Sequence, residues 1–162
     1  MNPKQVLPQI ELPHDLSGLR RVDFSAHHSY YGSGFLSISD LPRVADAVSC
    51  IEPGDGFDYK AFSEVQVIPG SKARETFSLE IQGRLHLVCQ RCLKDCPQDW
   101  GEKRQFLIMT SEAEADAHPI DDDLYEPLVA SRYFDLLELI EDEILLSFPL
   151  ISKHKEGACQ AH

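Results

Sequence analysis

The sequence has few basic residues, and this scarcity limits what the protein surface can bind. Fifteen lysines and arginines stand against 27 aspartates and glutamates, giving a net charge of −12. Residues 105–150 carry 1 basic side chain against 12 acidic ones. Because affinity for nucleic acid comes mainly from neutralising phosphates, this balance argues against RNA binding by the surface as a whole. An acidic face suits a basic protein partner, although the same charge can simply maintain solubility.

Long apolar stretches are also missing. No run approaches the roughly 20 residues that a membrane-spanning helix needs, and the first residues show no secretory signal. We therefore expect a cytoplasmic protein with no membrane partner. The length of 162 residues suits one domain. We predict an extended N-terminal arm over residues 1–18 and a single domain over residues 19–162.

Catalytic signatures are absent as well. The sequence contains no GxSxG, Walker A, GxGxxG or HExxH motif, so we predict that the protein is not an enzyme. We assign no catalytic residues, no organic cofactor site and no small-molecule substrate. Glu138, Glu141 and Asp142 share one face of a predicted helix, and such a carboxylate run is typical of a solvated surface. The three aspartates at 121–123 lack the spaced oxygens and the glycine of a calcium loop.

Periodicity predicts an α+β fold. Alternating apolar residues indicate strands over residues 57–67, 77–87 and 100–109, and their short connections favour an antiparallel meander with one buried face. Helical spacing predicts an amphipathic C-terminal helix over residues 135–148 and a short helix over residues 41–49. We expect the sheet to be packed by the C-terminal helix. Gly83 interrupts the second strand and predicts a bulge or bend.

The remaining segments are predicted to be less regular. Residues 19–24 suit a short strand, and residues 30–34, which read Tyr-Tyr-Gly-Ser-Gly, suit a turn. Residues 111–127 are predicted to form an acidic loop. Residues 152–162 form a polar C-terminal tail.

The cysteines favour a metal site over a disulfide framework. There are five of them, an odd number that fits closed disulfide pairing poorly. Cys89 and Cys92 form a CxxC in the turn after the second strand, which suits half of a tetrahedral Zn²⁺ site. The tail offers His154 and Cys159 as the other half, with Cys96 as a substitute ligand. Plain reduced thiols and a redox function stay open, although a redox CxxC usually opens a helix and a strand pattern follows here.

The middle of the chain carries a strip of basic residues. Arg91, Lys94, Lys103 and Arg104 are the candidates for contact with RNA or a partner, and Arg91 is the best placed because it lies inside the CxxC turn. Scattered surface charge is the alternative interpretation. The whole strip consists of Lys72, Arg74, Arg84, Arg91, Lys94, Lys103 and Arg104.

Three segments together resemble the YceD family. They are LVCQRC at residues 87–92, LIEDEILLSFP at residues 139–149, and the tail with His154 and Cys159; the resemblance runs from about residue 18 onward. This family is associated with accumulation of large-subunit (23S) ribosomal RNA in bacteria and plastids. The resemblance implies a non-enzymatic role in the synthesis, processing or stability of that RNA. Cys96 is an addition to the family pattern, and many relatives have a longer tail.

Charge and resemblance together predict a ribosome-biogenesis factor that acts as an adaptor. In this hypothesis the acidic region holds a basic ribosomal or rRNA-processing protein. The CxxC turn then contacts that partner or the 23S rRNA precursor. Direct RNA binding and thiol redox chemistry are the two alternatives.

Overall fold

The computed structural model describes residues 8–25, 28–67, 73–122, 124–149, 152–155, 157 and 159. Within these ranges, six strands form one sheet whose order follows the chain. The strands are β1 (Gln9–Glu11), β2 (Ser29–Ser37), β3 (Gly56–Val67), β4 (Ala73–Val88), β5 (Asp95–Met109) and β6 (Glu126–Val129). The helices of the same ranges are α1 (Leu16–Leu19), α2 (Pro42–Ala47), α3 (Glu112–Asp116) and α4 (Leu136–Leu146), with a 3-10 turn at Ile38–Asp40.

The sheet is mixed, which corrects the predicted antiparallel meander. β1 pairs with β2 in parallel, with Gln9 opposite Ser29. β5 pairs with β6 in parallel, with Phe106 opposite Glu126. A parallel pair needs a connection that returns the chain to the same end of the sheet, and the segments carrying α1 and α3 provide these connections. Alternation along one strand does not reveal the direction of its neighbour, so the sequence pattern missed both pairs.

The three long strands lie where alternation predicted them. On β3, Phe57 and Tyr59 are buried and Asp58 between them is exposed. On β4, positions expected to face solvent are buried as well, since Thr76 and His86 are each 1% exposed. Burial of polar side chains on β4 therefore departs from the expected single buried face.

The N-terminal part contains more structure than an extended arm. From residue 8 onward it forms β1 and α1, and in place of the strand expected over residues 19–24 there is an isolated antiparallel bridge between Val22 and Phe134. Residues 30–34, predicted as a turn, lie inside β2. A Cβ at Gly32 would lie 2.8 Å from the Cβ of Leu12. This glycine therefore serves close packing and not a turn.

The chain divides into two compact units. The first unit comprises Met1–Gly34, Lys60–Glu80 and Lys103–Leu137, and its core includes the rings of Phe24 and Phe77, whose centroids are 5.2 Å apart. The second unit comprises Phe35–Tyr59, Ile81–Glu102 and Glu138–His162, and its core includes Phe57, Ile140 and Ile144. The single domain over residues 19–162 stays a prediction.

Helices α2 and α4 form where helical spacing predicted them, but one of the three carboxylates expected on the solvated face of α4 is buried. Glu141 is 6% exposed, and its carboxylate accepts hydrogen bonds from the backbone N of Arg43 at 2.9 Å and from its Nε at 2.7 Å. Glu138 is exposed and Asp142 is half-buried. No helix in the described ranges combines the length and the apolarity that crossing a bilayer requires.

Candidate metal centre

The CxxC turn lies between β4 and β5 and is closed by its own backbone. The backbone N of Cys89 donates to the carbonyl of Lys94 at 2.9 Å, and the backbone N of Leu93 donates to the carbonyl of Cys89 at 2.8 Å. Leu93 has a φ of 60°, the left-handed conformation that costs a residue with a side chain about 1–2 kcal/mol. The turn therefore holds a strained backbone in place, as binding sites commonly do.

The C-terminal tail runs along this turn. The backbone N of Gln90 donates to the carbonyl of Ser152 at 2.8 Å, and the hydroxyl of Ser152 donates to the carbonyl of Val88. Nη2 of Arg91 donates to the carbonyl of His154 at 2.6 Å. These contacts bring the second predicted ligand pair up to the first.

Cys89, Cys92, His154 and Cys159 converge on one point, since their ligand atoms all lie within 4.8 Å of one another. The Sγ atoms of Cys89 and Cys159 are 3.8 Å apart. Nδ1 of His154 lies 3.5 Å from Sγ of Cys92 and 3.7 Å from Sγ of Cys159. A zinc tetrahedron with Zn–S bonds of about 2.3 Å and Zn–N bonds of about 2.05 Å has S–S edges of about 3.8 Å and S–N edges of about 3.6 Å. The four side chains therefore fit tetrahedral coordination by three thiolates and one imidazole.

The other nitrogen of His154 fixes the orientation of the ring. Nε2 lies 2.8 Å from the backbone carbonyl oxygen of Asp95. A carbonyl oxygen can only accept, so Nε2 carries the proton and Nδ1 presents a lone pair to the sulfurs. A second hydrogen bond of this kind is the usual support of a metal-bound imidazole.

The thiols of the cluster differ in acidity. Backbone N–H groups, first that of Cys92 and then those of His154 and Arg91, lower the pKa of Cys89 to about 5. Burial and the neighbouring Cys89 and Cys92 raise the pKa of Cys159. A nest of amides around one sulfur favours the thiolate, which is the form that binds metal and also the form that reacts in redox chemistry. The imidazole lone pair beside the sulfurs favours the metal interpretation.

Cys96, the substitute ligand, is buried next to the cluster but outside it. Its side chain is 2% exposed, and its Sγ accepts a hydrogen bond from Nε2 of Gln98 at 3.1 Å. It is not one of the four side chains whose ligand atoms converge in the described part of the chain. Two supporting residues were not predicted from the sequence. The backbone carbonyl of Asp95 contacts the ring of His154, and Ser152 contacts the CxxC turn through its backbone carbonyl and its hydroxyl. No sequence spacing indicates contacts of this kind.

The predicted basic strip is not uniformly available. Lys103 pairs with Glu80 at 3.3 Å, and Arg74 pairs with Glu114. Arg91 and Lys94 are exposed and have no carboxylate partner among the residues the structure describes. Arg104 is half-buried and takes part in other interactions. Lys72 lies outside the described residues.

The acidic segment is more ordered than a loop. It contains α3, whose first turn is capped by the hydroxyl of Ser111, which accepts from the backbone N of Glu114 at 3.1 Å. Asp122 accepts hydrogen bonds from two backbone N–H groups and from His118, and β6 begins at Glu126. Part of the negative charge is thus used inside the fold. The acidic side chains of this segment that the structure leaves exposed are Glu112, Asp116, Asp121 and Glu126.

Comparison with known proteins places the chain in a family. Residues 77–162 match the YceD family, described as "Large ribosomal RNA subunit accumulation protein YceD". A protein of Haemophilus influenzae (strain ATCC 51907 / DSM 11121 / KW20 / Rd) with the same description is 23% identical over 129 residues, which cover 78% of this chain and 69% of the relative. No solved structure matches the chain significantly. The matched segment contains the CxxC turn, α4 and both tail ligands, and the chain belongs to the YceD family.

Proposed function

We propose that this chain supports accumulation of the large (23S) ribosomal RNA as a non-enzymatic adaptor that holds a basic protein partner. The family description supports the cellular role. One structural observation carries the adaptor mechanism, and it is a groove in the first unit that exposes apolar side chains beside carboxylates.

The groove has a volume of about 830 Å³ and is lined by residues of β5, α3 and the segment leading into β6. Ile120 and Leu124 are 104% and 72% exposed. Asp116 and Glu126 are exposed carboxylates on its wall with no ion pair in the described part of the chain. Lys103 and Arg104 also line the groove, but Lys103 pairs with Glu80 at 3.3 Å and Arg104 takes part in a further interaction. Apolar side chains flanked by carboxylates suit a basic amphipathic segment, because burying each apolar residue contributes about 1.5–3 kcal/mol and opposite charge speeds encounter.

The cysteine cluster is proposed to bind one structural Zn²⁺ through Cys89, Cys92, His154 and Cys159. A closed site with four protein ligands supplies folding energy and no open position for substrate. It would hold the tail against the CxxC turn. The turn and the tail carry four exposed basic residues, which are Arg91, Lys94, Lys153 and Lys155. We propose that these residues contact the partner or the rRNA precursor.

Zinc analysis tests this part of the proposal directly. Purified protein should contain at least one zinc per chain, and Cys159→Ser should release one zinc per chain and free the tail to proteolysis after Lys153 or Lys155. Cys50→Ser is the matched control, because Cys50 is exposed and outside this cluster. A metal-free wild-type protein of unchanged stability would remove zinc from the proposal.

Charge reversal tests the adaptor. Asp116→Lys with Glu126→Lys should release the basic partner that co-purifies with the wild type from growing cells and should reduce 23S rRNA. Asp46→Lys with Asp58→Lys makes the same change in net charge at exposed positions of the second unit and should do neither. Equal effects of the two double variants would contradict a groove-specific partner.

Direct RNA binding makes a different prediction. It requires the isolated chain to hold 23S fragments at physiological ionic strength, with an affinity that falls steeply with salt and is reduced by changing Arg91 or Arg104 to Glu. Such a result would replace the adaptor mechanism. A redox role would instead require reversible formation of a disulfide within the cysteine cluster under cellular conditions.

A further inference from the structure

A tight turn in the second unit brings two carboxylates together. Residues 52–55 read Glu-Pro-Gly-Asp, and Gly54 has a φ of 88°, as a type II turn requires at its third position. The backbone N of Asp55 donates to the carbonyl of Glu52 at 3.1 Å. In return, Oδ2 of Asp55 accepts from the backbone N of Glu52 at 2.9 Å. These two hydrogen bonds fix the first and last residues of the turn side by side.

His86 on β4 directs a buried nitrogen at this pair. Its side chain is 2% exposed, and its Nδ1 lies 2.7 Å from Oδ2 of Asp95. Its Nε2 has no hydrogen-bond partner among the residues the structure describes. Oδ2 of Asp55 and Oε2 of Glu52 lie 3.3 Å and 3.5 Å from Nε2, but neither oxygen forms a hydrogen bond with it. An unsatisfied buried nitrogen is destabilising, so a further binding partner at this point would stabilise the fold.

The distances suit a metal ion. Charge-assisted hydrogen bonds between nitrogen and carboxylate are about 2.7–2.9 Å long, shorter than both separations from Nε2. Ligands placed about 2.0–2.1 Å from a tetrahedral metal are about 3.3–3.4 Å from one another, which matches the observed 3.3 Å and 3.5 Å. One imidazole nitrogen and two carboxylate oxygens form a ligand set for a divalent transition ion such as Zn²⁺ or Mn²⁺ and not for a soft ion such as Cu⁺.

We propose that Glu52, Asp55 and His86 form a second metal site, which binds a divalent transition ion through Nε2 and two carboxylate oxygens. Asp95 acts as a positioning residue, because the hydrogen bond that it accepts from Nδ1–H leaves the Nε2 lone pair for the metal. Oδ1 of Asp95 in turn accepts from the hydroxyl of Ser49 at 2.8 Å. The side chain of Glu52 is 61% exposed, so the ion reaches the site from solvent. This inference does not depend on the adaptor function or on zinc in the cysteine cluster.

Manganese binding tests the proposal, because Mn²⁺ prefers nitrogen and oxygen ligands and has a paramagnetic signal. Full-length protein, given one equivalent of Zn²⁺ that the three thiolates bind in preference to carboxylates, is titrated with Mn²⁺ while electron paramagnetic resonance measures the free ion. One equivalent should bind to the wild type. Glu52→Gln should weaken binding at least about tenfold, Asp55→Asn should abolish it, and Asp95→Asn should weaken it about 10–100-fold.

Asp58→Asn is the matched control, because Asp58 is an exposed carboxylate three residues beyond the turn. The affinity of this variant for Mn²⁺ should equal that of the wild type. Glu52 is exposed, so its substitution leaves the core intact even where Asp55→Asn fails to fold. Absence of Mn²⁺ uptake by the wild type would overturn the proposal. So would uptake that Glu52→Gln and Asp58→Asn reduce equally, since that would be general attraction to an acidic surface.

Discussion

Replacing Glu141 by glutamine tests whether a carboxylate of α4 holds the start of α2. The carboxylate accepts hydrogen bonds from the backbone N of Arg43 at 2.9 Å, from its Nε at 2.7 Å and from the backbone N of Val44 at 3.4 Å. Leu41, the residue before α2, provides no side-chain cap, so Glu141 satisfies amides that a helix start leaves without intrahelical partners. Glutamine has the same shape, but it loses the charge and turns an NH₂ group toward these donors.

The structure sets the size of the effect. Removing one partner of a buried ion pair costs about 3–5 kcal/mol. Arg43 is 47% exposed and also pairs with Asp142 at 2.7 Å, so solvent and this second carboxylate recover part of the loss. We therefore expect Glu141→Gln to lower the free energy of unfolding by about 2–3 kcal/mol. For a chain of this size that corresponds to a fall in Tm of about 4–12 °C.

Urea denaturation followed by circular dichroism measures this loss, and Asp142→Asn is its matched control. Asp142 contacts the same arginine from the same helix, but its side chain is 42% exposed, so its removal should cost at most about 1 kcal/mol. Equal losses in the two variants would refute the argument that burial of Glu141 makes the difference. A Glu141→Gln loss below about 0.5 kcal/mol, the range of ordinary surface substitutions, would refute it as well.

Two further predictions concern backbone packing and acid stability. Gly83→Ala should lower the free energy of unfolding by about 2–3 kcal/mol, because its Cβ would lie 2.1 Å from the carbonyl oxygen of Gly56. In Gly101→Ala the new Cβ would lie 3.6 Å from its nearest atom, so the free energy of unfolding should change by no more than about 0.5 kcal/mol. Equal losses in the two glycine variants, measured by urea titration, would contradict the argument from close packing at Gly83. Hydrogen bonds from the backbone and hydroxyl of Thr110 and from Arg74 lower the pKa of Glu114 from 4.5 to about 2. The stabilisation it provides is therefore complete above pH 4.5 and lost as pH falls toward 2. Glu114→Gln should flatten that part of the stability curve, and an unchanged curve in acid titrations of unfolding would count against the assignment.

The sequence determined the elements whose signals are local. Alternation placed β3, β4 and most of β5, and helical spacing placed α2 and α4, because each pattern follows from burying one side of a single element. The cysteine and histidine spacing also selected the four side chains that converge at the CxxC turn. Ligand pairs are recognisable in sequence because each pair occupies one turn or one short segment. The metal itself remains a prediction.

Tertiary structure decided what depends on residues far apart in the chain. The parallel pairing of β1 with β2 and of β5 with β6 depends on where the connecting segments lead, and strand periodicity carries no information about that. Glu141 belongs by pattern to the polar side of α4, yet α2 supplies three hydrogen bonds that make its burial favourable. His86 likewise alternates with apolar residues on β4 but is covered by the turn at residues 52–55. A local pattern shows which side of an element is polar, whereas the partners that bury a polar group come from elsewhere in the chain.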